Sequence, residues 1–209
     1  IINTCGFIND AKKESIGVIL DSLDLKEEHA DTQIIVTGCL SKRYFDDLRK
    51  DIPEIDLVWG IADDALVTEL VSRAGTGSAA RLAANGRVPF EKRSPFEYIK
   101  IADGCSNNCS YCAIPLIRGA HHSFNPDDVV RDAQSAVSRG VRELVVVAQD
   151  IAAYEHGGVR LPELLRMLSD TGASWIRLLY CHPDHLTDDI IEAIRDIPAV
   201  VPYIDIPFQ

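Results

Sequence analysis

YIKIADGCSNNCSYCAIPLIRG, residues 98–119, begins as an apolar strand and turns at once into a loop carrying Cys105, Cys109 and Cys112. A strand that feeds a ligand-bearing loop is typical of α/β sheets, where binding groups gather beyond the carboxyl ends of parallel strands. The segments that follow keep the same rhythm. Pro126-Asp127-Asp128 opens a helix predicted to run to about Arg139, with Gly140 as its C-terminal stop. Residues 143–148 (ELVVVA) read as a buried strand, 161–169 as a helix, 175–180 as a strand, 188–195 as a helix and 200–206 as a last strand. Alternation of this kind predicts a β/α array. A closed barrel needs more chain than this, so an incomplete barrel is expected.

Upstream, the pattern also alternates. Ile1 to Thr4 is the end of a strand; residues 11–23 place Ile16, Ile19, Leu20 and Leu23 on one helical face. Residues 33–36 (QIIV) form a β-branched run typical of a buried parallel strand, 44–50 a helix ended before Pro53, 57–59 a strand and 63–72 a helix. The expected fold class is therefore α/β: an N-terminal parallel-sheet domain over 1–72, then a partial (β/α) barrel over 96–209. Residues 73–95, rich in Gly, Ala, Ser and Arg without apolar period, read as the linker. The chain opens at Ile1 inside a strand-like run and stops just after another, which reads as a fragment cut through folded structure.

Bulk composition narrows the class. No apolar run approaches the roughly 20 residues of a bilayer span, and the N-terminus does not resemble a signal peptide, so a cytoplasmic protein without a membrane partner is expected. A net charge of −11 and a pI near 4.9 disfavour a free nucleic-acid substrate, because phosphate affinity comes from Lys and Arg. In that setting six cysteines point to metal ligands or catalytic groups before disulfides.

Three thiolates on one short loop can each reach a different vertex of a compact metal centre. A tetrahedral zinc site needs a fourth ligand, for which His121, His122 or Cys181 are available. A [4Fe-4S] cube on three cysteines leaves one iron open to a small molecule. Cys5 and Cys39, in NTCG and TGCL, fall at predicted strand ends and read as further ligands, although buried thiols also pack as small hydrophobes. Cys181 reads as a bystander, and His182 and His185 as loop residues. Gln149 and Asp150 end the strand 143–148, and Arg177 lies inside the next strand, where a charge needs a partner.

CSNNCSYC resembles the signature loop of radical S-adenosylmethionine (SAM) enzymes. NTCGFINDAKKESI at 3–16, VTGCL at 36–40 and residues 98–119 extend the resemblance to the methylthiotransferases. Within that family, AIPLIRG and AQDIAAY (148–154) are similar to the RimO type, which modifies an aspartate of ribosomal protein S-twelve. The resemblance implies two [4Fe-4S] clusters and SAM. One cluster sits on Cys105, Cys109 and Cys112, with SAM chelating its fourth iron and Tyr111 packing near the adenine. The auxiliary cluster takes Cys5, Cys39 and a third cysteine expected upstream of Ile1, so it is incomplete in this chain. Gln149, Asp150 and Arg177 are implied on the SAM side, with a SAM carboxylate or an acidic neighbour as partner for Arg177. Asp205 and Gln209, in YIDIPFQ, resemble a further substrate-side or SAM-side motif. At 121–126, HHSFNP departs from the family pattern, with Phe124 in place of an arginine. The implied partners are ribosomal protein S-twelve or the small ribosomal subunit, and a one-electron reductant such as flavodoxin or ferredoxin. Two other functions are weighed: methylthiolation of a tRNA adenosine (the MiaB type) and a non-catalytic iron–sulfur or zinc module.

Overall fold

The computed structural model describes residues 1–29, 31–74 and 94–207. Most of the expected linker 73–95, and Gln209, lie outside the described residues. Two compact units emerge, within Ile1–Val88 and Pro89–Gln209.

In the first unit, β1 (Ile2–Thr4), β2 (Ile35–Gly38) and β3 (Leu57–Val58) form a parallel sheet in the order β1-β2-β3. Helices α1 (Asn9–Glu28), α2 (Cys39–Arg43), α3 (Phe45–Asp51) and α4 (Asp64–Ala74) alternate with these strands. Ile19 of α1 packs with Ile34, Val36, Leu40, Leu48 and Val58 in one apolar cluster. Helix α2 was not foreseen: Gly38 ends β2 and caps this helix, so Cys39 is its first residue.

The second unit is built on three parallel strands, β4 (Phe96–Lys100), β7 (Glu143–Val147) and β10 (Trp175–Leu178), in the order β10-β7-β4. Two short antiparallel hairpins hang from this frame: β5 (Ala102–Asp103) with β6 (His122–Ser123), and β8 (Glu155–His156) with β9 (Val159–Arg160). Helix α5 (Ile114–Arg118) follows the cysteine loop. The longer helices are α6 (Pro126–Ser138), α7 (Leu161–Ser169) and α8 (Asp188–Asp196). Local chemistry fixes α6: Asn125 Oδ1 accepts the Asp127 amide at 2.9 Å, and Pro126 occupies the first turn, where no amide is needed.

One sheet face, with Ile99, Leu144, Val146, Ile176 and Leu178, packs on α6, α7 and α8 through Val129, Ala133, Leu164, Leu168 and Ile190. The opposite face carries Phe96, Tyr98 and Trp175, which are 41%, 61% and 57% exposed. The last expected strand, 200–206, is reduced to a single bridge of Val200 to Ile176. Val201 donates to Ile176 O at 2.9 Å, and then Pro202, which has no N–H, ends the ladder.

Candidate metal centre and cofactor site

Strands β4, β7 and β10 run parallel, so their C-terminal ends share one edge, and each is followed by a segment with ligand-type side chains. After β4 the chain makes an excursion from 104 to 121 that the β5–β6 hairpin closes at its base. Gly104 makes the closure possible. Its φ is +72°, and a Cβ there would meet Ala120 O at 2.1 Å, so no other residue fits without moving backbone. Cys105 N then donates to Gly119 O at 3.1 Å, and His121 N to Ser106 Oγ at 3.0 Å. Asp103 anchors the base by accepting from the Gly104 amide and pairing with Lys100 at 2.8 Å and Arg118 at 3.1 Å. Burial works to raise its carboxyl, but these partners together hold it below the usual range.

Within the loop Cys105 is buried, and Cys109 and Cys112 are half-buried. Burial pushes the Cys105 thiol up, and the charges of Asp150, Cys112 and Cys109 add to the rise, so the three sulfurs are near neighbours. They are nevertheless not packed as a single ion would need. Four thiolates around one zinc stand about 3.8 Å apart, from a bond length near 2.3 Å. Among the described residues, the one trio of His, Cys, Asp or Glu with ligand atoms all within 4.8 Å of one another is Asp150, His182 and His185. The three loop thiols are not all within that distance of one another, so no single-ion site is preformed on them. Of the zinc-knuckle candidates, His121 contacts Ser123 Oγ through Nε2 at 3.1 Å and leaves Nδ1 without a partner, His122 is exposed, and Cys181 is 3% exposed in the second unit's core.

The Asp150 trio is a hydrogen-bond hub. Oδ2 accepts Asn107 Nδ2 at 3.0 Å and His185 Nδ1 at 2.5 Å; Oδ1 accepts the Ala152 amide at 3.2 Å and the His182 amide at 3.3 Å. Each oxygen thus has two protein partners. Sequence reasoning treated His182 and His185 as plain loop residues and did not single out Asn107. His182 Nε2 lies 4.0 Å from Cys109 Sγ, and the two residues line a cleft of about 520 Å³ together with Asn107, Asp184 and Pro207.

The other expected site residues fall as follows. Tyr111 is 62% exposed; partial desolvation and the Cys109 and Cys112 charges push its phenol up, which places it beside those thiols. Gln149 Oε1 is buried with no protein partner. Arg177 found the acidic neighbour: Nε is 2.5 Å from Glu143 Oε1, and the guanidinium stands 5.7 Å from the Tyr203 ring centre. Asp205 Oδ2 accepts the amide of Tyr180, a residue in the left-handed region at φ 66°.

In the first unit, Thr4 Oγ1 donates to Thr37 O at 2.6 Å, joining the NTCG and TGCL segments. Ser15 Oγ accepts from Cys5 N at 3.0 Å and donates to Cys5 O at 3.1 Å. At Gly6 a Cβ would lie 2.7 Å from the Leu40 backbone, so the close approach of the two segments depends on glycine. Cys5 is exposed and Cys39 half-buried.

Fold and site together define a three-cysteine loop at the C-terminal edge of a parallel β/α sheet. Residues 99–209 match the profile of the Radical SAM superfamily, and residues 1–60 that of the Uncharacterized protein family UPF0004. The chain belongs to the radical SAM superfamily. SAM and a [4Fe-4S] cluster are the cofactors this membership implies. Among curated relatives, "Ribosomal protein uS12 methylthiotransferase RimO" of Thermodesulfovibrio yellowstonii is 43% identical over 211 residues, covering 100% of this chain and 48% of the relative. The proteins of the same name from Thermoanaerobacter sp. (strain X514) and Geotalea uraniireducens are each 41% identical, over 221 and 222 residues, covering 100% of this chain and 50% of the relative. The chain spans about half the length of the curated relatives it matches. Among the described residues no helix is long and apolar enough to cross a membrane.

Proposed function

We propose that this chain is the cluster-bearing part of a radical SAM methylthiotransferase that adds a methylthio group to the β-carbon of an aspartate in ribosomal protein S-twelve. The observation that carries the reading is the presence of three free thiols on one loop at the sheet edge, a donor set that suits a cube with one open iron. The names of the relatives supply the substrate. An adenosine of tRNA is the weaker alternative, since a net charge of −11 repels phosphate.

In this reading Cys105, Cys109 and Cys112 hold the loop cluster, releasing their protons to do so. The bound cluster and SAM supply one-electron chemistry that generates a carbon radical able to take hydrogen from an unactivated carbon. The protein contributes position and exclusion of competitors. Tyr111 offers an aromatic face beside the third cysteine, and the unpartnered Gln149 Oε1 offers an acceptor to a cofactor donor. Asp150 and Arg177 are already engaged by protein partners and are left with supporting roles. Cys5 and Cys39 lie in a separate domain, assigned to 1–72, across the linker 73–95 from the barrel domain 96–209, and serve an auxiliary cluster for sulfur delivery. A flavodoxin or ferredoxin provides the electron.

The test is anaerobic reconstitution with iron and sulfide, followed by SAM, dithionite and a peptide carrying the target aspartate. The expected products are 5′-deoxyadenosine and a methylthiolated peptide by mass spectrometry. Replacement of Cys105, Cys109 or Cys112 by alanine should abolish both; 5′-deoxyadenosine formation surviving any one of them would refute the ligand assignment.

A further inference from the structure

We infer that Asp150 is a positioning residue: its buried carboxylate clamps the cysteine loop to the strand ends and sets a fixed negative charge beside the cluster the loop holds. The second half of this inference rests on the proposed cluster reading; the clamp does not.

Three segments meet at this one side chain. Asn107 Nδ2 comes from the middle of the cysteine loop, 43 residues away in sequence. Ala152 N belongs to the segment after β7, and His182 N and His185 Nδ1 to the segment after β10. Asp150 is 1% exposed, so water does not compete for these bonds. Three N–H donors and the His185 ring nitrogen converge on its two oxygens, so the side chain is held from both sides. Asn107 is the loop's hand on the clamp, between the first and second cysteines.

The charge has a consequence of its own. Reducing a cluster adds an electron next to this carboxylate, and repulsion between them grows as the medium becomes less polar. Asp150 should therefore lower the reduction potential of the loop cluster. A purely structural role would leave the potential where it is.

The experiment uses the full-length protein with Cys5→Ala and Cys39→Ala, so that only the loop cluster remains. Two further variants are compared with this parent. Asp150→Asn keeps the shape and removes the charge; Asn107→Ala releases only the loop. Before iron is added, both should speed amide exchange over residues 106–112 by about tenfold or more, as loss of a charge-assisted hydrogen bond implies. After reconstitution, Asp150→Asn should raise the midpoint potential in an EPR-monitored titration, and Asn107→Ala should shift it much less. Unchanged exchange in Asn107→Ala overturns the clamp, whether or not Asp150→Asn folds. A reconstituted Asp150→Asn protein with the parent's potential overturns the charge effect. A parent that takes up no iron on its loop defeats the cluster reading instead, and the exchange result still decides the clamp.

Discussion

Gly104→Ala should cost far more than its single methyl suggests, and the structure gives both the size and the control. At φ +72° a non-glycine residue pays about 1–2 kcal/mol for the left-handed conformation alone. The added Cβ would also lie 2.1 Å from Ala120 O and 2.8 Å from Gly119 O. Neither oxygen belongs to a flexible side chain, and Gly119 O already accepts Cys105 N at 3.1 Å. Moving them breaks that bond, and an unmade buried bond costs about 1–3 kcal/mol more. The expected total is about 2–5 kcal/mol, centred on the base of the cysteine loop. Gly119→Ala is the matched control: its φ is +79°, yet nothing lies within 4 Å of its Cβ position, so only the conformational part applies. Denaturant titrations of the two variants and the parent give the difference, and iron uptake after reconstitution gives its effect on the site. Gly104→Ala should lose about 1–3 kcal/mol of stability beyond Gly119→Ala, by the same estimate, and should take up little iron on the loop. Equal midpoints for the two would refute the reasoning, because the contact would then carry no weight.

Other expectations follow from single groups. Cys5 is exposed, whereas Cys181 is buried, with burial first and the Asp150 and Asp205 charges next pushing its thiol up to about 11. At pH 8 an alkylating reagent should label Cys5 in metal-free native protein and leave Cys181 intact; peptide mapping that finds equal labelling would contradict this. The raised Cys181 value also contributes stability that is complete below the free-thiol value of about 8.5 and lost as pH climbs towards 11. Asp103 has the opposite sign: its depressed carboxyl contributes stability above the ordinary carboxylate range and loses it as pH falls through its own lower value. The stability gap between the parent and Asp103→Asn should accordingly close on acidification below about pH 4, which urea titrations at several pH values can follow. Ser15→Ala leaves both backbone groups of Cys5 without their partner and should cost the first unit about 1–3 kcal/mol by circular dichroism; an unchanged midpoint would show that water replaces the hydroxyl.

Local chemistry was legible where one segment decides its own structure. Pro126 and Gly140 bracket α6, and ELVVV marks β7 as a buried run. The helix expected at 161–169 is the observed α7. Cysteine spacing pointed to the loop because metal chemistry constrains spacing directly. What stayed hidden depends on residues far apart in sequence or on very short elements. The Asp150 hub joins Asn107 and His185 across 43 and 35 residues, and no local pattern announces such a meeting. The β5–β6 hairpin has two residues per strand, too few to show a period, although it closes the loop that carries the cysteines. The strand expected at 200–206 failed on a local signal that was present: Pro202 cannot donate to a ladder. For Arg177, the sequence asked for a partner, and only the register of β7 against β10 reveals Glu143.

The chain has two tryptophans, and the fold deals one to each unit. Trp59 follows β3, half-buried, with its Nε1 donating to Asp63 at 3.2 Å. Trp175 opens β10 on the sheet face opposite the helices and is 57% exposed. Their emission therefore separates the two units optically. Replacing either indole by phenylalanine leaves a single fluorophore that reports on one unit: Trp59 on the segments around Cys39, Trp175 on the strand whose far end leads to His182. A ligand that covers the exposed Trp175 should shift its spectrum to the blue and leave that of Trp59 unmoved.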